Sequence, residues 1–559
     1  MHWRGDHEIR YSVRMTDDGV FDDGVIELTT ASSIAEDGPA CGTLVAECAT
    51  NRVAWLIDNA EAYGPLLDSL RRARRSVHIA QLAFDADCAA YSYDSPTGAP
   101  SCDAVIAETL VELATAHAPE IRILLNATWI LDTARPLRKY FRSRGISTDK
   151  IEVRGMSRFP HFMHAKLVLI DGREAFLLGS PFVNSYWDDG SHAPFDARRP
   201  LRELGGRPLH DVSMRLRGPV VGDLEAMFAN LWRACGETKA GVRRTKWVAP
   251  AASGPRRTPG MRVVCDAPDG IVPDSPNGSM HMLGELLAGI ARARSFIYIE
   301  HQYLTSRPIV AALVEALHRA PALEIIIVLN QNPDLTAYRT WQNTQLEEGA
   351  LLHHPRVGVF TLWSTAAHPG SGRVTRISQL FIHSKVIVID DAWAAAGTSN
   401  LDGVSMGDYG ADFAGALGQR VFRGVRNVEV NVVIDADEAN GSGAEPIVTL
   451  RERLWSEHLG ISAHALAPGM RGGWLAMWRE AARANVRTLS SASGQELESA
   501  HPAHAPHMIG RLLPYSDRAY PRQQLADVGV DIDPERLELS YNPTWLSVHL
   551  SPHWIRNIF

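Results

Sequence analysis

One short stretch occurs twice in the chain. It reads His164-Ala-Lys166-Leu-Val-Leu-Ile-Asp171 in the first half and His383-Ser-Lys385-Val-Ile-Val-Ile-Asp390 in the second. Each copy is a polar triplet followed by four aliphatic residues, which predicts a buried β-strand because such a run is too short for a helix. Residues two apart on a strand share a face, so the His and Lys of each copy should point together. Asp171 and Asp390 have the opposite parity, and we expect them to be structural.

Lysine usage argues against a chance repeat. Of the 56 basic residues only six are lysines, and two of these six, Lys166 and Lys385, occupy the same motif position. A compact ammonium and a planar guanidinium fork are not equivalent at a binding site. The sequence therefore predicts that both lysines perform a task that arginine does not.

The repeat extends beyond the motif. Arg75-Ser76 and Arg294-Ser295 precede the two motifs by the same distance, and Glu120–Asn126 resembles Glu324–Asn330. Between these matched segments, the first copy carries extra residues around 88–102 and the second around 361–377. Strands that alternate with helical patterns indicate an α/β fold with a mostly parallel sheet, and the repeat predicts two copies of it.

The pattern divides the chain into five segments. These are an N-terminal arm or cap (1–49), a first lobe (50–235), a linker (236–260), a second lobe (261–465) and a C-terminal extension (466–559). The extension ends in aromatic residues (Trp545, Trp554 and Phe559). We expect it to pack across the lobes, with a membrane-surface role as the alternative.

Composition limits the possible partners and cofactors. The net charge of −8 and the pI near 6.3 argue against a general binder of nucleic acid. The chain has no apolar run of roughly 18 residues and no signal-peptide pattern, so we expect a soluble protein made in the cytoplasm, with signal-less export left open. The six cysteines form no CxxC pair, and we expect neither a metal nor a cofactor. Cys88 and Cys102 are interpreted as free thiols, or as a disulfide in an oxidising compartment.

Each motif is followed by a glycine and a hydroxyl residue, as Gly179-Ser180 and as Gly397-Thr398-Ser399-Asn400. This HxKxxxxD pattern with its Gly-Ser/Thr continuation resembles the twice-repeated signature of the single-chain members of the phospholipase D superfamily. The resemblance covers roughly residues 50–465. The first copy departs from it, since the expected Asn position holds Pro181 or Phe182, whereas Asn400 fits.

The resemblance implies a fold of two phospholipase D-like α/β lobes related by a pseudo-twofold axis, with the active site at their interface. A monomer can then form a complete site, and the oligomeric state stays open. Phosphodiester cleavage needs a nucleophile, an acid and positive charge around the phosphoryl oxygens. By family analogy His164 attacks phosphorus to form a phosphohistidine and His383 protonates the leaving group, although the symmetry leaves the reverse open. Lys166 and Lys385 would neutralise the phosphate without a metal.

Other residues resemble supporting positions of the family. Asp211 and Glu429 occur at similar places in the two halves and match its orienting acids, the alternative being ordinary acids at a strand edge. Gln302 and Tyr303 lie in a stretch similar to the family's Ile-Tyr-Ile-Glu-Asn-Gln-Tyr and are expected to line the pocket.

The resemblance favours an enzyme that hydrolyses or transphosphatidylates glycerophospholipids at a membrane surface, with no nucleic-acid partner. Three alternatives remain from the sequence. The first is a nuclease of the same superfamily, which would require a basic cleft. The second is a cardiolipin synthase-like phosphatidyltransferase, and the third is a binding module that has lost catalysis.

Overall fold

The computed structural model describes residues 51–91, 102–128, 131–157, 161–200, 206–236, 260–268, 280–333, 336–368, 371–407, 425–436, 443–466, 473–490, 507–530 and 537–539. The predicted N-terminal arm, nearly all of the linker and the three terminal aromatic residues lie outside these ranges. Cys88 is a buried free thiol.

The first lobe is built on a seven-stranded sheet with helices between several of its strands. Its helices are α1 Asp58–Arg72, α2 Ile106–Ala116, α3 Ala134–Ser143 and α4 Val220–Gly236. Its strands are β1 Arg52–Ile57, β2 Ser76–Ala80, β3 Ala89–Tyr91, β4 Cys102–Val105, β5 Glu120–Asn126, β6 Ile151–Met156, β7 Phe162–Met163, β8 Leu167–Ile170, β9 Glu174–Leu177, β10 Leu209–His210 and β11 Val212–Arg217.

The second lobe repeats this order. Its helices are α5 His281–Arg292, α6 Arg307–Arg319, α7 Thr336–Glu348, α8 Gly403–Met406 and α9 Glu445–Leu459. Its strands are β12 Gly260–Asp266, β13 Phe296–His301, β14 Glu324–Leu329, β15 Val357–His368, β16 Ser371–Gln379, β17 Phe381–Ile382, β18 Lys385–Ile389, β19 Trp393–Gly397 and β20 Asn427–Asp435.

The two sheets match strand for strand. The first has the order β1-β11-β9-β8-β2-β5-β6, and the second contains β12-β20-β19-β18-β13-β14-β15. In each sheet the motif strand, β8 or β18, is central and buried on both faces, as its four aliphatic residues predict. The sheets are α/β, but the expectation of a mostly parallel sheet is wrong. Tight turns after Asp171 and Asp390 join the motif strand to an antiparallel neighbour. Among the seven matched strands of each sheet, only the two strand pairs on the far side of β2 and of β13 are therefore parallel.

Short strands cross between the lobes just before each motif. β7 of the first lobe pairs with β20 of the second, and β17 of the second pairs with β10 of the first. The backbone N–H of His164 donates to Val428 O at 3.0 Å, and that of His383 donates to His210 O at 2.8 Å. Each motif histidine is therefore fixed at the junction of the two lobes.

The C-terminal extension adds to the second lobe. It contains α10 Trp474–Leu489, β21 Leu512–Pro514, α11 Pro521–Asp527 and β22 Leu537–Leu539. β21 pairs with β15 and β22 with β16. Arg511 also donates to the carbonyls of Gly190 and Ser191 in the first lobe, so the described part of the extension contacts both lobes.

Candidate active site at the lobe interface

The two motif histidines are paired with carboxylates from the opposite lobes. His164 Nδ1 lies 2.8 Å from Glu429 Oε2, and His383 Nδ1 lies 2.8 Å from Asp211 Oδ2. All four side chains are buried. A carboxylate at Nδ1 fixes the tautomer that carries the proton there, which leaves Nε2 with its lone pair for chemistry. The structure thus brings together the two histidines and the two acids singled out in the sequence.

Both motif lysines are buried beside these pairs. Lys166 Nζ donates to His164 O at 2.8 Å, and Lys385 Nζ donates to His383 O and, at 3.2 Å, to Gln302 Oε1. Burial lowers the pKa of Lys166 to about 7, and the positive charge of nearby Lys385 acts in the same direction. Two buried lysines whose charges repel each other favour the binding of an anion at this site.

Burial and the two lysines also lower the pKa values of the motif histidines. Burial lowers the pKa of His164 to about 4, and the charges of Lys166 and Lys385 act in the same sense against the opposing effect of Glu429. The pKa of His383 falls to about 3, chiefly through burial and then through Lys385. Both imidazoles are therefore neutral near pH 7 before an anion enters, as a nucleophile must be.

Side-chain hydroxyls hold the two orienting carboxylates. Asp211 accepts from Ser180 Oγ, the hydroxyl that follows Gly179. Glu429 accepts from Thr398 Oγ1 at 2.6 Å and from Ser405 Oγ at 2.8 Å. The Gly-Ser and Gly-Thr pairs after the motifs thus position the acids that position the histidines.

The glycine of the first pair, Gly179, is required because no space is left for a side chain. A Cβ placed on Gly179 would lie 1.9 Å from Asp211 Oδ1 and 2.4 Å from its Cγ. Gly397 has an equivalent restriction, because its Cβ would lie 2.4 Å from Val430 O. Larger residues at these positions would displace the carboxylate or the strand that carries it.

The motif acids lie outside the site, in the place expected of structural residues. Asp171 has a positive φ of 56° and accepts from the backbone N–H groups of Arg74, Arg75 and Ser76. Asp390, with φ 54°, accepts from the equivalent N–H groups of residues 294–296. Each acid closes the turn after its motif strand against the start of the neighbouring strand.

The proposed pocket residues are buried near Lys385. Gln302 Oε1 accepts from Lys385, while its Nε2 donates to Tyr303 OH at 2.7 Å. The ring of Tyr303 packs on that of Tyr338 with centroids 4.3 Å apart. Asn400 is buried after β19, and its Oδ1 makes no hydrogen bond within the described ranges. In the first lobe Asn184 instead anchors a loop through Ala89 N and Asp87 O.

Sequence reasoning missed a matched pair of asparagines. Asn126 exchanges hydrogen bonds with the backbone of Met163, and Asn330 does the same with Ile382. These partners directly precede His164 and His383, so each amide fixes the backbone that presents a histidine. The repeat had aligned the two asparagines, and that alignment was the available signal. Tyr186, whose ring centroid lies 5.0 Å from that of His383, had no such signal.

Comparison with known proteins places this geometry in a family. Residues 286–445 match the family described as cardiolipin synthase, PLD-like domain. The major cardiolipin synthase ClsA of Bacillus subtilis (strain 168) is 23% identical over 369 residues, which cover 63% of this chain and 62% of that protein. Phospholipase D zeta 2 of Arabidopsis thaliana is 26% identical over 182 residues, covering 30% and 15% respectively. The crystal structure of phosphatidylserine synthase from Haemophilus influenzae Rd KW20 aligns with a TM-score of 0.44 at 10% identity, covering 69% of this chain and 83% of that one.

The fold and the crossed site define a two-lobed protein that carries the HxKxxxxD motif once in each lobe, with both motifs at the lobe interface. The family match and the cardiolipin synthase relatives support its assignment to the phospholipase D superfamily. It spans about 62% of the length of the Bacillus relative.

The same comparisons correct one expectation. The prediction of a soluble cytoplasmic protein is contradicted by the similarity to cardiolipin synthases, which are membrane-associated. The described ranges contain no helix of the length and apolarity that crossing a bilayer requires. The sequence reasoning failed because it took the absence of an apolar run as evidence of location.

Proposed function

We propose that this protein is a phosphatidyltransferase of the cardiolipin synthase type, which moves a phosphatidyl group from one phospholipid to an alcohol of another through a phosphohistidine. The observation that carries the proposal is the crossed arrangement, in which two neutral imidazoles and two lysines face one interface, each imidazole held by the other lobe's carboxylate. The cardiolipin synthases, which match over more than 60% of this chain, support transfer over the simple hydrolysis that the sequence favoured.

In the first half-reaction one imidazole is the nucleophile and the other the acid, and we assign these roles by family analogy. Nε2 of His164 attacks phosphorus, and the bond from phosphorus to the headgroup oxygen breaks. The departing oxygen takes a proton from His383, which therefore has to be protonated in the complex. Its low pKa in the empty site arises from burial and from Lys385, and a phosphodiester anion seated on the lysines offsets their charge and raises that pKa.

The second half-reaction reverses these roles. His383, now neutral, accepts the proton of an incoming hydroxyl, whose oxygen attacks phosphorus and releases His164. If the acceptor is the headgroup of a second phosphatidylglycerol, the products are cardiolipin and glycerol. If it is water, the product is phosphatidic acid. Acceptor choice therefore separates transferase from hydrolase within one mechanism.

Hydrolysis is the second candidate, because phospholipases D of Arabidopsis thaliana and Phytophthora infestans also match part of the chain. The test is a product assay with vesicles of phosphatidylglycerol, of phosphatidylcholine or of phosphatidylethanolamine, with single-stranded DNA in parallel. Cardiolipin with released glycerol supports the proposal, and phosphatidic acid as the main product supports hydrolysis. Cleaved DNA without lipid turnover would reject both. The His164→Ala/His383→Ala double variant is the control for contaminating activity.

A further inference from the structure

A second cluster of ionisable side chains lies next to the active site, and the proposed mechanism uses none of it. Asp58 begins α1, His192 lies in the loop before β10, His210 ends β10, and Glu457 belongs to α9. Asp58, His192 and His210 are buried, and 19% of the Glu457 side chain is exposed. One nitrogen or oxygen from each of the four lies within 4.8 Å of those of the others.

We propose that these four side chains form a tetrahedral binding site for a divalent transition-metal ion of the zinc class. The donor set of two imidazoles and two carboxylates suits zinc, which prefers four nitrogen, sulfur or oxygen ligands. The site is distinct from the phosphate site and goes beyond the proposed function.

The contacts have the lengths that a shared ion would produce. Ligand atoms bound to zinc at about 2.0–2.2 Å stand about 3.3–3.6 Å from one another. His192 Nε2 lies 3.3 Å from Asp58 Oδ2 and 2.8 Å from Glu457 Oε1. His210 Nδ1 lies 3.3 Å from Asp58 Oδ1 and 3.5 Å from Glu457 Oε1. Asp58 thus faces each histidine with a different oxygen, and a rotation of its carboxylate would direct one oxygen to an ion shared by all four side chains, whose ligand atoms lie within 4.8 Å of one another.

Several of these contacts are poor hydrogen bonds. Asp58 Oδ2 and both ring nitrogens of His210 are fully buried, yet within the described ranges none of them has a hydrogen-bond partner of acceptable geometry. Buried polar atoms in native proteins are almost always hydrogen-bonded. Atoms that converge at close range without hydrogen-bond alignment are what a metal centre requires, since its ligands point at a common centre and not at one another.

Each histidine also has the outer partner that metal-bound histidines usually have. His192 Nδ1 lies 3.1 Å from Asp188 Oδ2, and His210 Nε2 lies 3.1 Å from Glu300 Oε1. A carboxylate on the far nitrogen fixes the tautomer and the ring orientation, and it leaves the near nitrogen as a ligand. In both histidines one nitrogen lies in the cluster, and the far nitrogen is hydrogen-bonded to Asp188 in His192 but only lies close to Glu300, without hydrogen-bond alignment, in His210.

The charge of the four side chains and their access from solvent also suit a divalent ion. Two carboxylates balance the charge of a divalent ion that is bound to two neutral imidazoles. A cavity of about 500 Å³ reaches the cluster, and its lining includes Asp58, Glu457, Glu61 and Arg453. An ion can enter from this side without passing the phosphate site.

A bound ion would stabilise the contact between the two lobes. Three ligands come from the first lobe and Glu457 comes from the second, so the ion would join the lobes. Asp58 Oδ1 also accepts from the backbone N–H of Asp211 at 3.1 Å, which links the cluster to the acid that orients His383. With all four positions filled by protein, no place remains for substrate, and the role is structural. This inference departs from the expectation of no metal, because the ligands at 58, 192, 210 and 457 form no spacing motif.

The test uses the whole 559-residue chain and measures metal directly, so its outcome does not depend on catalytic activity. The purified wild-type chain is analysed for zinc by mass spectrometry, then stripped with a chelator and titrated with Zn²⁺ or with Mg²⁺ while its Tm is followed. We expect about one zinc per chain and a Tm that rises by at least ~3 °C with Zn²⁺ but not with Mg²⁺. His192→Gln and Glu457→Gln should lose the bound zinc.

Glu61→Gln is the matched control, since Glu61 lines the same cavity but pairs with Arg453 outside the cluster. It should keep its zinc. A wild-type chain that binds no zinc as purified and shows no Tm rise on titration overturns the proposal, even if both cluster variants fail to fold. Zinc retained by Glu457→Gln and His192→Gln overturns it as well, because the ion would then lie elsewhere.

Discussion

Replacing the two orienting carboxylates one at a time with amides should distinguish the nucleophilic histidine from the acid. Glu429→Gln and Asp211→Asn keep the shape of each side chain and remove its charge. In the wild type the two carboxylate oxygens of Glu429 are surrounded by hydrogen-bond donors, which are the side chains of His164, Thr398, Ser405 and Asn427. An amide NH₂ in that setting cannot accept from all of them.

The expected size of the effect follows from the buried geometry. Loss of the carboxylate removes a 2.8 Å hydrogen bond to a wholly buried imidazole and the charge that stabilises it when it becomes positive. Comparable changes in histidine-based sites cost from about 10² to 10⁴ in kcat, or about 3–5 kcal/mol. We expect both variants to fall in this range with a phospholipid substrate.

A second substrate separates the roles. A p-nitrophenyl phosphodiester has a leaving group that needs no proton at neutral pH, so the acid, which supplies about 10²–10⁴ in rate, becomes dispensable in the first step. If His164 is the nucleophile, Asp211→Asn should release p-nitrophenolate in the first turnover within about tenfold of the wild-type rate, whereas Glu429→Gln should stay impaired. Rapid-mixing absorbance gives this burst, and intact-protein mass gives the phosphoryl adduct.

The opposite pattern would assign the nucleophile to His383. Equal loss in both variants with both substrates would refute the division of labour, and wild-type rates in either variant would refute the orienting role itself. Folding is checked by comparing the Tm of both variants with that of the wild type.

Three further outcomes are expected. Lys166→Arg should lower kcat at least ~100-fold although the charge is kept, because a guanidinium fork does not fit a wholly buried ammonium site. Lys139→Arg, at an exposed position, is the control. Near-normal kcat in Lys166→Arg would mean that the role of the lysine is misread. Gly179→Ala should lower kcat by displacing the orienting carboxylate, whereas Gly222→Ala, whose Cβ meets no atom within 4 Å, should not; equal activity of the two refutes the steric argument. The pKa of His383 falls from 6.5 in the unfolded chain to about 3 in the folded one, so between pH 6.5 and pH 3 the folded chain binds fewer protons. The contribution of His383 to the free energy of unfolding is therefore lost as the pH falls through this range. His383→Gln should therefore show a smaller loss of Tm than the wild type between pH 7 and pH 4, and an identical pH profile would contradict it.

The sequence was most informative where function and repetition coincide. The two HxKxxxxD copies predicted the motif strands, and their matched spacing predicted equivalent sheets, because a buried strand between fixed anchors tolerates no insertion. Asp171 and Asp390 were expected to be structural from strand parity alone, and both lie at turns away from the histidines.

Other features depend on pairing that periodicity does not encode. An apolar run predicts a buried strand but not whether its neighbour is parallel, so the hairpins after Asp171 and Asp390 were missed. The cluster around His210 was invisible for a similar reason. Its members come from four separated segments of the chain, which come together only in the folded structure.

Duplication within one chain has a chemical consequence that a symmetric dimer of one lobe would lack. In such a dimer both histidines would have identical surroundings, and neither could be specialised as nucleophile or acid. Here the carboxylate at His164 is a glutamate held by Thr398 and Ser405, whereas the one at His383 is an aspartate held by Ser180. Burial lowers the pKa of both imidazoles, so the difference between them lies in their partners and not in a clear difference of basicity. Because each imidazole has its own carboxylate and hydroxyl partners, one chain can specialise the two histidines, and the comparison of phospholipid with aryl phosphodiester assigns the roles.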